Sequence, residues 1–171
     1  MTNSKTVGVA MSILVAGSLA ACSPPSPAKP AVDTAKIAAA VKADADQSVA
    51  DFNAHDAPKS VSHDAPGIVA MFHGAPNIVG MDSDLAMAKR QATDLASKVA
   101  VSDETVDVAA AGDMAVYRAT YVYTSTDPKT KKPVTETGNW LVGYKPQPDG
   151  TWKIVWDVIS DAPAASAPAA K

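Results

Sequence analysis

From Val101 to Ser160 the apolar residues recur at every second position, whereas before Val101 they recur every three or four. A period of two belongs to strands with one buried face, and a period near 3.6 to amphipathic helices. The second half therefore reads as four strands: Val101 to Ala110, Met114 to Thr126, Val134 to Lys145 and Thr151 to Ser160. Short turns join them, among them Asp149-Gly150, a strong hairpin signal. The first half reads as a helix from Asp33 to Ala54 and a short helix from Pro58 to Ser62. Two short apolar strands, Gly67 to Phe72 and Asn77 to Met81, then flank a His73-Gly74-Ala75-Pro76 turn. A last helix, capped by Asp82, Ser83 or Asp84, runs to about Val99. Helices set apart from hairpin-joined strands make an α+β domain, three helices covering one face of a curved antiparallel sheet.

Alternation assigns the faces of that sheet. Ala115, Tyr117, Ala119 and Tyr121 share one side with Trp140, Val142 and Tyr144, and with Trp152, Ile154, Trp156 and Val158. This face is core or pocket wall. Aromatic residues interleaved with Ala and Gly, under thin Ala-rich helices, leave room for a hollow. Phe52, Met71, Tyr117, Tyr121, Trp140 and Trp156 are the candidate ligand-binding residues. The opposite face, with Val116, Val122, Leu141, Val155 and Ile159, is either solvated or a homodimer contact. Asp157 falls on it and reads either as an outward residue near Lys153 or as a functional carboxylate at a sheet interface.

The 171-residue chain begins with Lys5 and the apolar run Val7 to Ala21, which ends in Leu19-Ala20-Ala21-Cys22. The run is too short for a stable membrane span and fits a signal peptide. The final four residues resemble a bacterial lipobox, so residues 1–21 are read as a lipoprotein signal and Cys22 as the lipidation site. Acyl chains there, at about 0.8 kcal/mol per buried CH₂, would anchor the protein to a membrane. Residues 22–32 form a Pro-rich tether, 33–161 the domain, and 162–171 an Ala/Pro tail. The expected location is the cell envelope, and the outer membrane facing the periplasm in a Gram-negative host. Cys22 is the single cysteine, so no internal disulfide is available. A formal net charge of −3, with Arg90 and Arg118 the only arginines, excludes the clustered positive charge that nucleic acid demands.

The three histidines share a local pattern: His55-Asp56-Ala57-Pro58, His63-Asp64-Ala65-Pro66 and His73-Gly74-Ala75-Pro76. Two readings stay open. Histidines with nearby carboxylates can hold zinc or move protons. Asp before Ala-Pro can equally be turn and cap chemistry. The spacings match no helical pair of metal ligands, so no metal and no cofactor is assigned. His55 and His63, where the first helix meets the sheet, are the candidate catalytic histidines.

The segments Gly112-Asp113-Met114-Ala115-Val116-Tyr117 and Asp149-Gly150-Thr151-Trp152-Lys153-Ile154, together with the helical first half, resemble the SnoaL-like and ketosteroid isomerase-like proteins. These belong to the nuclear transport factor 2-like superfamily, and the resemblance covers about Asp33 to Asp161. It implies a cone-shaped α+β fold with a cavity between the first helix and the sheet, often dimeric, serving isomerases, dehydratases and non-catalytic binders alike. Isomerase chemistry in that family needs a carboxylate base and buried proton donors. The resemblance puts the base near Asp82 or Asp84 and a late-strand donor near Asn139. The family places a Tyr donor on the first helix, which here has no Tyr, only Phe52.

The expectation is an anchored envelope lipoprotein whose cone binds an apolar small molecule or peptide. Two alternatives stand beside it. One is an isomerase, cyclase or dehydratase working through Asp82, His55 or His63. The other is a dimerisation or protein-interaction module.

Overall fold

The computed structural model describes residues 31–162. The signal, Cys22, most of the tether and nearly all of the tail lie outside the described residues. Helix α1 (Thr34–Asn53) begins where the Asp33 carboxylate accepts the Lys36 backbone N–H at 2.9 Å. Its Ala-rich interior favours helix, and Val41 and Ala45 turn inward onto the sheet. The helix ends as His55 takes a left-handed φ of 58°, a conformation His tolerates better than bulkier residues do. Asp56 caps the short α2 (Ala57–Ser60), which runs through a 3₁₀ turn (Val61–His63) into β1 (Asp64–Phe72).

The expected second apolar strand shrinks to β2 (Ile78–Val79). Helix α3 (Met81–Ala92) starts from Gly80, at a φ of 83°, with no side-chain cap. Asp82 and Asp84 instead lie in its first turn, where negative charge suits the helix dipole. The helix stops well short of Val99, because Asp94 captures the Thr126 N–H and hydroxyl along with the Ala96 N–H. Leu95 is consequently 79% exposed. Val99 belongs to β3 (Lys98–Val108), whose edge the Asn53 side-chain amide closes with two 2.8 Å bonds, one to the Val99 N–H and one to its C=O.

Strands β4 (Ala115–Thr126), β5 (Pro133–Pro146) and β6 (Trp152–Asp161) complete one six-stranded sheet of order β2-β1-β6-β5-β4-β3. It is curved, open and mixed rather than purely antiparallel, because β1 returns beside β6 in parallel. The three helices cover its concave face. Tyr117, Val142, Tyr144, Ile68 and Ile154 pack there under Val41 and Ala45.

One irregularity reassigns a face. Gly143 pairs with Trp156 while the next residue, Tyr144, pairs with Ile154, so Val155 is an extra residue in β6. Such a bulge inverts the alternation beyond it. Ile154 faces inward as expected, but Trp156 and Val158 turn out, while Asp157 and Ile159 turn in. Among the described residues no helix is long and apolar enough to cross a membrane.

Candidate functional site

A cavity of about 440 Å³ lies between the helices and the concave face. Val49 and Phe52 of α1, Met87 of α3, and Tyr121, Tyr123, Trp140 and Ile159 of the sheet supply much of its wall. Phe52 and Tyr123 meet edge to face, ring centres 6.2 Å apart. Size and composition suit a small apolar molecule.

Four carboxyl groups line this wall, and three of them gather in its buried part: Asp64 at the start of β1, Asp84 in the first turn of α3, and Asp157 beyond the β6 bulge. Asp64 is only 8% exposed. Burial, and then the hydrogen-bonded carboxyl of Asp84, push its pKa up to about 9. Asp64 therefore carries a proton at neutral pH. Burial also raises Asp157, but the Trp140 indole Nε1 donates to its Oδ1 at 2.7 Å and holds it to about 6. One cavity thus holds a neutral carboxylic acid and a carboxylate that exchanges its proton near neutrality. At the other end stands Glu136, which accepts a hydrogen bond from the Tyr121 hydroxyl and faces His73 Nε2 at 3.7 Å.

Of the expected ligand-binding residues, Phe52, Tyr121 and Trp140 line the cavity and three do not. Met71 pairs across from Val158 on the outer face, and Phe72, one residue on, takes its place. Trp156 also lies outside, displaced by the bulge, with the Lys145 ammonium 5.3 Å from its ring centre. Tyr117 faces inward but is sealed beneath α1. Its hydroxyl donates to Glu104 Oε2 at 2.8 Å, and its ring meets the edge of Trp140.

The expected catalytic groups are likewise redistributed. Asp82 is exposed on α3, while Asp84, about 200° further round the helix, faces the cavity. His55 ends α1 beside a shallow hollow bounded by Phe52 and Ala88, outside the main cavity wall. His63 is buried between two carboxylates. Its Nδ1 lies 2.8 Å from Asp44 Oδ1 and its Nε2 3.2 Å from Asp51 Oδ2. The Asp44 bond raises its pKa, burial opposes this, and Asp51 adds to the rise. With both ring nitrogens engaged, His63 pins α1 to the 3₁₀ turn and has no free nitrogen for a substrate. Among the described residues, no set of three or more His, Cys, Asp or Glu side chains is arranged to hold a metal ion.

Sequence reasoning missed Asp64, Glu136 and the inward turn of Asp157. Asn139, the expected late-strand donor, is exposed on the outer face, and Asp157 is the late-strand acid that enters the cavity. The available signal was an aspartate set among Trp156, Val158 and Ile159, but only the bulge reveals its direction.

No family model matches the chain, and no curated protein matches it. Solved structures do. A nuclear transport factor 2-like superfamily protein from Salmonella enterica superposes with a TM-score of 0.65 at 13% identity, over 81% of this chain and 99% of that one. A dehydratase-like protein of the same family from Streptomyces avermitilis gives 0.65 at 16% identity, over 78% and 100%. A ketosteroid isomerase-like protein from Erwinia carotovora gives 0.61 at 20% identity, over 72% and 94%. At these identities the common property is the backbone, and this chain has the nuclear transport factor 2-like cone fold.

Proposed function

We propose that the domain binds an apolar small molecule bearing a carbonyl or hydroxyl oxygen and moves protons on it, as an isomerase or dehydratase does. The observation that carries this reading is the meeting of Asp64, Asp84 and Asp157 on one largely apolar cavity. Groups whose surroundings drive their pKa values apart mark acid and base partners. Asp64, at about 9, keeps a proton to donate to the substrate oxygen as negative charge develops there. Asp157, at about 6, is mainly ionised at pH 7 and accepts the proton from the carbon next to the carbonyl. Returned to a different carbon, that proton completes an isomerisation. In a dehydration the hydroxyl leaves as water, taking the Asp64 proton. Asp84 beside it disfavours ionisation of Asp64, and Trp140 orients the Asp157 carboxylate.

The test is a panel of β,γ-unsaturated and β-hydroxy ketones, followed by absorbance of the conjugated enone. Conversion is expected, falling at least about 100-fold in Asp157→Asn. A panel that is neither bound nor converted would sink the reading.

We further propose that acylated Cys22 and the Pro-rich tether hold the cone at an envelope membrane, close to where apolar substrates partition. The lipobox-like Leu19-Ala20-Ala21-Cys22 supports this. Labelled fatty acid should appear on the wild-type chain and be lost, together with membrane association, in Cys22→Ala.

A further inference from the structure

The cavity wall bears four carboxyl groups, Asp64, Asp84, Asp157 and Glu136, and no lysine or arginine among the described residues. Such a wall repels a carboxylate or phosphate ligand. Three of the four crowd the buried region where Asp64 lies. Glu136 stands apart at the open end, its side chain and that of His73 each 40% exposed. Glu136 and Trp140, whose indole holds Asp157, lie four residues apart on one face of β5, roughly 13 Å at the strand rise. Tyr121 engages Glu136 Oε1, whereas Oε2 faces His73 Nε2 at 3.7 Å, beyond hydrogen-bonding distance. Oε2 is therefore left able to accept from a ligand. Tyr121 and Tyr123, paired with Gly138 and Glu136 across β4 and β5, line the same part of the wall, and aromatic faces attract cations.

We propose that the ligand is a cationic amphiphile whose protonated amine sits on Glu136 Oε2 among these aromatic rings, its apolar body running toward Asp157 and Asp64. The inference rests on the small-molecule reading above and names the chemical class that this site selects. The amine meets the half-exposed carboxylate, so it sheds little of its hydration, and the apolar chain fills the drier interior.

The experiment is calorimetric titration of the folded protein at pH 7 and low salt with n-octylammonium, n-octanol and n-octanoate, each below its aggregation concentration. Octylammonium is expected to bind at least tenfold more tightly than octanol, with octanoate weakest. In Glu136→Gln, checked for an unchanged melting transition, the ratio of octylammonium to octanol affinity should fall at least fivefold. If octanol or octanoate binds as tightly as octylammonium, or the preference survives E136Q, the inference is overturned while the small-molecule reading stands. If none of the three binds, the inference is overturned, and the small-molecule reading falls with it only where the ketone panel also fails to bind.

Discussion

The Trp140 indole Nε1 donates a 2.7 Å hydrogen bond to Asp157 Oδ1, so one aromatic residue both forms cavity wall and sets the charge state of the acid beside it. This bond is the influence that lowers the Asp157 pKa against burial and the charge of Asp84. In Trp140→Phe the ring remains and the donor is lost. The Asp157 pKa should rise above about 6, seen by carboxyl carbon NMR, and the acidic limb of any pH–rate profile should move the same way. An unchanged titration would mean that the indole does not tune this acid.

The pH dependence of stability follows from Asp64. Its folded pKa of about 9 exceeds the ordinary 3.8, so the fold favours its protonated form. That contribution is complete below about pH 4 and is lost as pH rises through 9. The raised pKa of His63 acts in the same direction, its share being lost as pH climbs above the ordinary 6.5. Chemical denaturation should therefore show stability falling by on the order of 3 kcal/mol between pH 5 and 9. Asp64→Asn, which keeps the shape without the titration, should flatten most of that slope. An equally steep slope in the variant would place the titrating group elsewhere.

His63→Ala should destabilise the domain by about 2–4 kcal/mol, because it leaves Asp44 and Asp51 close together without their shared donor. Equilibrium urea unfolding measures the loss. Since His63 bonds both carboxylates and no ligand, any turnover retained by the variant should keep its wild-type pH profile. Disappearance of one limb would restore His63 as a catalytic group.

Met71 and Phe72 are neighbours on opposite faces of β1, and they separate cavity from outer surface in a paired experiment. Phe72→Ala should weaken ligand affinity roughly tenfold through lost apolar contact, while Met71→Ala and Trp156→Phe leave it within about twofold, apart from surface effects. Equal losses on both faces would contradict the β6 bulge.

The fold was legible because its signals are long and redundant. The Tyr117–Tyr121 alternation, the Asp149-Gly150 hairpin and the Val41–Ala45 helix face each span enough chain to average out local exceptions. The site was less legible because each of its acids depends on one backbone event. Asp157 faces inward only because Val155 is an extra residue in its strand. Asp84, rather than Asp82, reaches the cavity because α3 starts from Gly80 without a side-chain cap. Asp64 looks like turn punctuation in His-Asp-Ala-Pro, yet β1 begins there and carries it beneath α3. Even the misplaced end of α3 has a local cause, since Asp94 spends its carboxylate on Thr126, a partner 32 residues away.

Val155 works like a frame-shifting letter in a two-letter script. Delete it, and every later residue of β6 would swap sides: Trp156 and Val158 would enter the cavity and Asp157 would leave. The outcome would be a greasier chamber that keeps Asp64, Asp84 and Glu136 but has no acid from its last strand. Counting along one strand, as much as the choice of any side chain, therefore separates a cone with an acid on its last strand from one without. Among proteins that share this backbone, a single-residue insertion or deletion in the last strand would be a short route from one to the other.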